Sequence, residues 1–376
     1  AGADLLFAGD GIADRVSVAA FDATAAVACF RDEARSNYGI CEALSLSREK
    51  TLTKGGRLVL NRGSTSYTSV AAFGETNAVA CYTGAGEYRH GTCTCSVLEL
   101  EGAALAKGDN LVFDGDSSTG YVSVAAFDAN NGVVCRAGAG GTAHGTCNAL
   151  SLTGMSLTKG DGVAIGQTTH VSVAAFDATT AVACYGDDTR GGYGTCSAFT
   201  LSGSTLTKGE DLVINGGTST VSVATLDTRT AVVCYEDGDG AYGVCNALSL
   251  SGTTLTKGGR VVMNSAATKD VSIAAIDATT AAVCFRESSN AAGTCSAVSL
   301  SGTTLAKGYD LELKSGAASP ISVAAIDTMA AVACYQGADN AGHGSCKVLS
   351  APTLQSRAAR RLNTNPSPPP SPPPSP

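Results

Sequence analysis

VSVAAFDATTAVACYGDDTRGGYGTCSAFTLSGSTLTKGEDLVIN, residues 171–215, is one copy of a unit that recurs through most of the chain. VSVAAFD (171–177) alternates apolar and polar side chains as a half-buried strand does, and DATT (177–180) follows as a turn. AVACY (181–185) reads as a second strand, and the loop GDDTRGGYG (186–194) leads into TCSAFTLSG (195–203), a third. A turn around TKG (207–209) precedes a fourth strand, DLVIN (211–215). No part of the unit has helical periodicity.

Cys184 and Cys196 frame the loop, and the same pairing recurs. Fourteen of the fifteen cysteines fall into Cys29/Cys41, Cys81/Cys93, Cys135/Cys147, Cys184/Cys196, Cys234/Cys245, Cys284/Cys295 and Cys334/Cys346. Zinc sites and redox motifs bring cysteines closer in sequence than these spacings of 11 or 12. One local disulfide per unit is the expectation, and with it an oxidising, extracellular setting. Seven pairs of buried free thiols would fit such regular spacing poorly. Cys95, two residues after Cys93, is left over as a buried thiol, an alternative partner for Cys81, or an intermolecular bridge.

The first cysteine of each pair recurs at intervals of 49 to 54 residues. A period of about 50 belongs to propellers and arrays. Four-stranded units repeated roughly four to eight times describe a β-propeller, and residues 1–350 resemble that superfold without the WD40 or kelch signatures. The phase of the repeat at the two ends favours a ring. AGADLLFAG at the start aligns with the fourth strand of a unit, KGEDLVING (208–216), and the last unit, 320–350, stops after its third. An open stack would need polar caps; a ring closed by the N-terminal strand needs none. The expected fold is all-β, a seven-bladed β-propeller over residues 1–350, followed by a basic linker (351–365) and a Pro/Ser-rich tail (366–376).

Composition limits what such a disc does. The net charge of −8 argues against nucleic-acid binding. No apolar run reaches the roughly 20 residues that span a bilayer, so no membrane partner is expected. The chain begins without methionine or a signal peptide, as expected of a processed or trimmed form. Aromatics are only 5% and tryptophan is absent, which disfavours a large aromatic-lined pocket.

Three residues before the second cysteine of each pair stand Tyr38, His90, His144, Tyr193, Tyr242, Ala292 and His343. This ring of Tyr and His is a possible contact for glycans or a neighbouring subunit; packing of each loop over its own disulfide is the simpler reading. The aspartates ending the first strands (Asp22, Asp128, Asp177, Asp227, Asp277, Asp327; Gly74 in the second unit) read as turn caps. The lysines of the KG pairs (Lys54, Lys107, Lys159, Lys208, Lys257, Lys307) read as solvated turn residues. His90 and His144 lack the spacing of a metal site, and EDGDG (236–240) falls short of a calcium loop. No nucleophile elbow, zinc-protease helix or phosphate loop occurs, so no catalytic residue, metal or cofactor is expected.

The C-terminal segment is different material. Arg357, Arg360 and Arg361 punctuate the linker as candidates for subunit docking, and PSPPPSPPPSP (366–376) must extend as polyproline II. The Ser-Pro-Pro-Pro pattern resembles hydroxyproline-rich wall glycoproteins of plants and green algae, such as extensins and pherophorins. That resemblance implies hydroxylation and O-glycosylation at Pro366, Pro368, Pro369, Pro370, Pro372, Pro373, Pro374 and Pro376, and glycans at Ser367, Ser371 and Ser375. The chain holds no N-x-S/T acceptor, so any glycan is O-linked. The expectation is a secreted structural glycoprotein, not an enzyme, that self-associates head to tail into a fibre or wall layer. The alternative is a lectin-like propeller of the extracellular matrix that binds sugars through its Tyr and His loops.

Overall fold

The computed structural model describes residues 4–7, 13–85, 91–113, 119–138, 144–238, 240–314, 316, 318–337 and 342–350. Apart from two single-turn 3-10 segments, Glu33–Arg35 and Asp188–Arg190, its regular structure is strand. The strands pair antiparallel with their sequence neighbours in sets of four, because each connection is a short turn rich in Gly, Asp, Ser and Thr. In the unit first quoted, the second half of Ser156–Ala175 pairs with Thr180–Asp187, then Tyr193–Ser202, then Thr205–Asn215. Ser172, Cys184, Cys196 and Leu212 face one another across the four strands. Among the described residues no sheet closes on itself; long strands such as Ser156–Ala175 and Thr254–Asp277 run from one unit into the next.

The outer and inner strands explain the composition. Buried Val, Ala, Leu and Cys from the facing sides of consecutive sheets form separate hydrophobic clusters. One joins Val182, Cys184 and Cys196 to Val223, Val233 and Val244 of the next sheet. Alanine keeps the gap between sheets narrow enough for close packing. The innermost strands, which carry the VSV signature, are tied by its serine. Ser17 Oγ accepts the N–H of Val70, Ser69 that of Val124, Ser123 that of Val173, and Ser172 that of Val223. Ser222 accepts from Ile273, Ser272 from Val323, and Ser322 from Val18, all seven at 3.1–3.2 Å.

The N-terminal strand Leu5–Phe7 pairs antiparallel with Gly344–Ser350, Leu5 opposite Cys346 and Phe7 opposite Gly344. Asp4 accepts from Tyr335 Oη at 3.1 Å and lies 3.3 Å from Lys347. Phe7 is fully buried and meets Phe30 at 5.0 Å, in a cluster that joins residues of the last unit, Val332 and Val348, to the first.

Each disulfide joins directly opposite residues of the second and third strands of a unit, as Cys184–Cys196 and Cys29–Cys41 do. Cys135–Cys147, Cys234–Cys245, Cys284–Cys295 and Cys334–Cys346 repeat the arrangement. The second unit departs from the expected Cys81–Cys93 pair. Its bond is Cys81–Cys95, and Cys93 is a buried thiol. The intervening loop is two residues longer here, so register places Cys95 opposite Cys81 and Cys93 opposite Thr83. Seven disulfides fit an oxidising, extracellular setting, and among the described residues no helix is long and apolar enough to cross a membrane.

Two turn assignments change. The chain reverses at Ser202–Thr205, where Gly203 has φ +61°, and TKG lies inside the fourth strand as a β-bulge: Ser197 faces Asp211, but Phe199 faces Lys208. Glycine is needed there because the neighbouring unit's turn presses on it. A Cβ on Gly160 would stand 1.8 Å from Ser204 O, and one on Gly108 2.0 Å from Met155 O. The lysines are more than solvated: Lys107 donates to Leu60 O at 2.9 Å and Lys257 to Ile214 O at 3.1 Å, tying consecutive units. The aspartates do cap their turns. Asp177 Oδ1 accepts the Thr179 N–H at 2.8 Å, and Asp227 accepts from Arg229 and Thr230 at 2.7 Å.

Candidate functional site

A repeat scaffold shows its function where the copies differ. Two residues before the serine of each VSV signature stand Arg15, Tyr67, Tyr121, His170, Thr220, Asp270 and Pro320, no two consecutive units being alike except for the tyrosines. A register shift at the start of each inner strand, as between Asp14 and Ser17 or Lys269 and Ser272, leaves six of the seven out of the pairing, while Tyr67 stands opposite Thr83. Arg15 and Asp270 go further, adopting left-handed backbone with φ of 55° and 53°. All seven side chains line one cavity of about 210 Å³, floored by Val16, Val171, Val221, Val271 and Ile321.

The groups in this cavity interact as a graded set. The rings of Tyr67 and Tyr121 meet tilted at 38°, with centroids 4.1 Å apart, and those of Tyr121 and His170 at 37° and 3.9 Å. The Arg15 guanidinium lies over the Tyr67 ring at 4.6 Å and 3.5 Å from Asp14, which is itself bridged by Arg31 at 2.5 Å. Asp270 accepts from Arg286 Nε and Ser319 Oγ, both at 2.7 Å. Lys269 pairs with Glu236 at 3.2 Å. Burial, with the positive charges of Lys269 and Arg15, lowers the His170 pKa to about 4, so the ring is neutral at pH 7. Burial and the hydrogen bond to Tyr67 push the Tyr121 hydroxyl well above its ordinary value. Buried Arg15 Nε, His170 Nδ1 and Thr220 Oγ1 have no hydrogen-bond partner.

Tyr38, Tyr193 and Tyr242 occupy the same end of the sheets. Thr168, Asp187 and Tyr193 follow one another across three strands at the level where the inner strand begins, as do Thr218, Asp237 and Tyr242. Tyr193 and Tyr242 are each 42% exposed. Standing three residues from its cysteine on a regular strand, each ring faces the opposite side of the sheet from the disulfide, so packing over that disulfide is not its role. Tyr38 is half-buried and His144 exposed, and no ring contact joins these four to one another. His343 is half-buried. His90, the linker residues Arg357, Arg360 and Arg361, and the tail positions 366–376 lie outside the described residues. Among the described residues no group of three or more His, Cys, Asp or Glu gathers at metal-binding distance.

Neither composition nor motif singles these cavity residues out. The sequence does carry a signal: in seven aligned copies, a column just ahead of the near-constant Val-Ser-Val changes from Arg to Tyr to His to Thr to Asp to Pro.

No protein-family model matches the chain, and no curated protein sequence matches it. Solved structures do. Hydrazine synthase of Kuenenia stuttgartiensis superposes with a TM-score of 0.57 at 10% identity, covering 91% of this chain and 96% of that one. A hypothetical selenium-binding protein of Sulfolobus tokodaii gives 0.57 at 8% identity, covering 80% and 82%. The lectin of Aleuria aurantia, a six-bladed β-propeller that recognises fucose, gives 0.50 at 10% identity, covering 80% and 96%. At these identities the likeness establishes the propeller type of fold alone.

Proposed function

We propose that the protein is a secreted, carbohydrate-binding β-propeller of seven blades, closed by its N-terminal strand, which takes a sugar residue into its axial pocket. The observation that carries this reading is the asymmetric ring Arg15, Tyr67, Tyr121, His170, Thr220, Asp270 and Pro320 around one small cavity. Sugars offer hydroxyls that want paired donors and acceptors, and apolar C–H faces that pack on aromatic and aliphatic carbon. The cavity supplies both, on a rigid disulfide-locked frame. The exposed Tyr193 and Tyr242 on the same end extend the surface for further residues of a chain. A lectin among the structural neighbours adds weight. Closure is supported by the Ser322–Val18 bond and by the pairing of Leu5–Phe7 with Gly344–Ser350. The proposed role is binding without catalysis.

The test is a glycan array probed with the full chain and with Tyr121→Ala and Tyr193→Ala variants. Saturable binding that Tyr121→Ala abolishes and Tyr193→Ala weakens is the expected pattern; binding to no glycan would remove the reading. A second reading, a structural glycoprotein assembling head to tail, is favoured by the Ser-Pro-Pro-Pro sequence of 366–376. Electron microscopy of a chain cut after residue 350 separates the two, since fibres that need the tail disappear and sugar binding stays.

A further inference from the structure

We infer that the axial pocket selects an acidic sugar, holding the carboxylate of a uronic-acid residue against Arg15, His170 and Thr220; this rests on the carbohydrate-binding reading. The argument starts from the buried polar atoms that lack partners. Three of them, Arg15 Nε, His170 Nδ1 and Thr220 Oγ1, line this one cavity. Buried polar groups are normally satisfied, and a cluster of unsatisfied ones in a single cavity describes the ligand that completes it. Arg15 Nε–H is only a donor, and among the described residues the one anion close to it, Asp14 Oδ2 at 3.5 Å, is shared with Arg31 and makes no hydrogen bond to it; the Thr220 hydroxyl and the imidazole can each donate as well.

The surrounding charges favour an anion at that spot. Arg15 is held in place by the Tyr67 face and by left-handed backbone, so its fork is pre-organised for a planar carboxylate. The carboxylates nearby are already engaged: Asp14 by Arg31 at 2.5 Å, Asp270 by Arg286 at 2.7 Å, and Glu236 by Lys269 at 3.2 Å. Each therefore opposes an incoming anion less than its formal charge suggests. Asp270, two units away from Arg15 around the ring, is placed to accept from ring hydroxyls, which distinguishes a sugar acid from a simple carboxylate.

Calorimetry on the full chain with D-galacturonate, D-glucuronate, their methyl esters, the neutral parent sugars, and N-acetylglutamate as a non-sugar carboxylate tests this. The uronates should bind at least about tenfold more tightly than esters and neutral sugars, and than N-acetylglutamate. Arg15→Gln, checked for an unchanged melting transition, should erase that preference, and Arg15→Lys should restore part of it. Equal binding of acid and neutral sugars overturns the charge selection and leaves carbohydrate binding standing. Equal binding of N-acetylglutamate overturns the sugar assignment. No saturable binding of any sugar removes both.

Discussion

The hydroxyl of Ser322 accepts the backbone N–H of Val18 at 3.1 Å, joining residues 304 positions apart in the chain. It is one of seven equivalent bonds between inner strands, yet it spans the whole chain where the others span one repeat. Ser322→Ala leaves a buried N–H unsatisfied and should cost about 1–3 kcal/mol. Phe7→Ala, which empties the cluster shared by the first and last units, should cost about 3–5 kcal/mol. Urea unfolding measures both. Losses below 0.5 kcal/mol for Phe7→Ala, a bound well under about 3–5 kcal/mol for such a truncation, would show that the ends do not hold the disc together.

Two glycine substitutions separate close approach from backbone conformation. Gly160→Ala drives a Cβ to 1.8 Å from Ser204 O and must push two units apart, at a cost of about 1–3 kcal/mol or more. Gly203→Ala meets nothing within 4 Å but forces alanine to φ +61°, at about 1 kcal/mol. Thermal unfolding should rank Gly160→Ala as the more damaging. The reverse order would contradict the tight contact between turns.

Much of this was legible in the sequence, for identifiable reasons. The strands of 171–215 follow from alternation and turn residues, and Asp177 caps its turn as its position after the first strand implies. The pairing of Leu5–Phe7 with the last unit follows from the phase of the repeat. What failed depended on register. Cys93 and Cys95 lie on one strand two residues apart, and only the pairing of strands decides which faces Cys81. TKG reads as a turn because Lys-Gly resembles one, whereas the glycine answers to a neighbouring unit far along the chain. The cavity escapes a motif reading because its residues share no chemistry; they share a position.

Disulfide mapping by peptide mass spectrometry should find Cys81 linked to Cys95. Cys93→Ser should keep all seven disulfides and leave the melting transition within about 1 kcal/mol of the parent. Cys95→Ser should remove a bond that closes a loop, costing about 3 kcal/mol. A Cys81–Cys93 linkage in the native chain would contradict the register of Asn77–Ala85 against Thr92–Glu101.

Acid should destabilise the fold in two stages. His170 has its folded pKa lowered to about 4 from 6.5, so between those values the unfolded chain binds the extra proton. Stability is therefore full above about pH 6.5 and declines as pH falls toward 4. For Asp22, Asp128, Asp177, Asp227 and Asp327, burial acts to raise the pKa, but turn N–H and hydroxyl donors, with Lys50 at Asp327, outweigh it and lower it. Their contribution is present above the unfolded value of 3.8 and lost below it as pH falls through the folded values. Urea midpoints measured against pH should lose the first stage in His170→Gln and keep the second. An unchanged slope between pH 6.5 and 4 in that variant would contradict the burial of a neutral ring.

The stoichiometry of sugar binding tests the axial pocket most directly. Titration calorimetry of the full chain with the best ligand from the array should give one equivalent per chain, lost in Tyr121→Ala. Several equivalents per chain, surviving that substitution, would move binding from the axis to the repeated faces of the units and contradict the axial site.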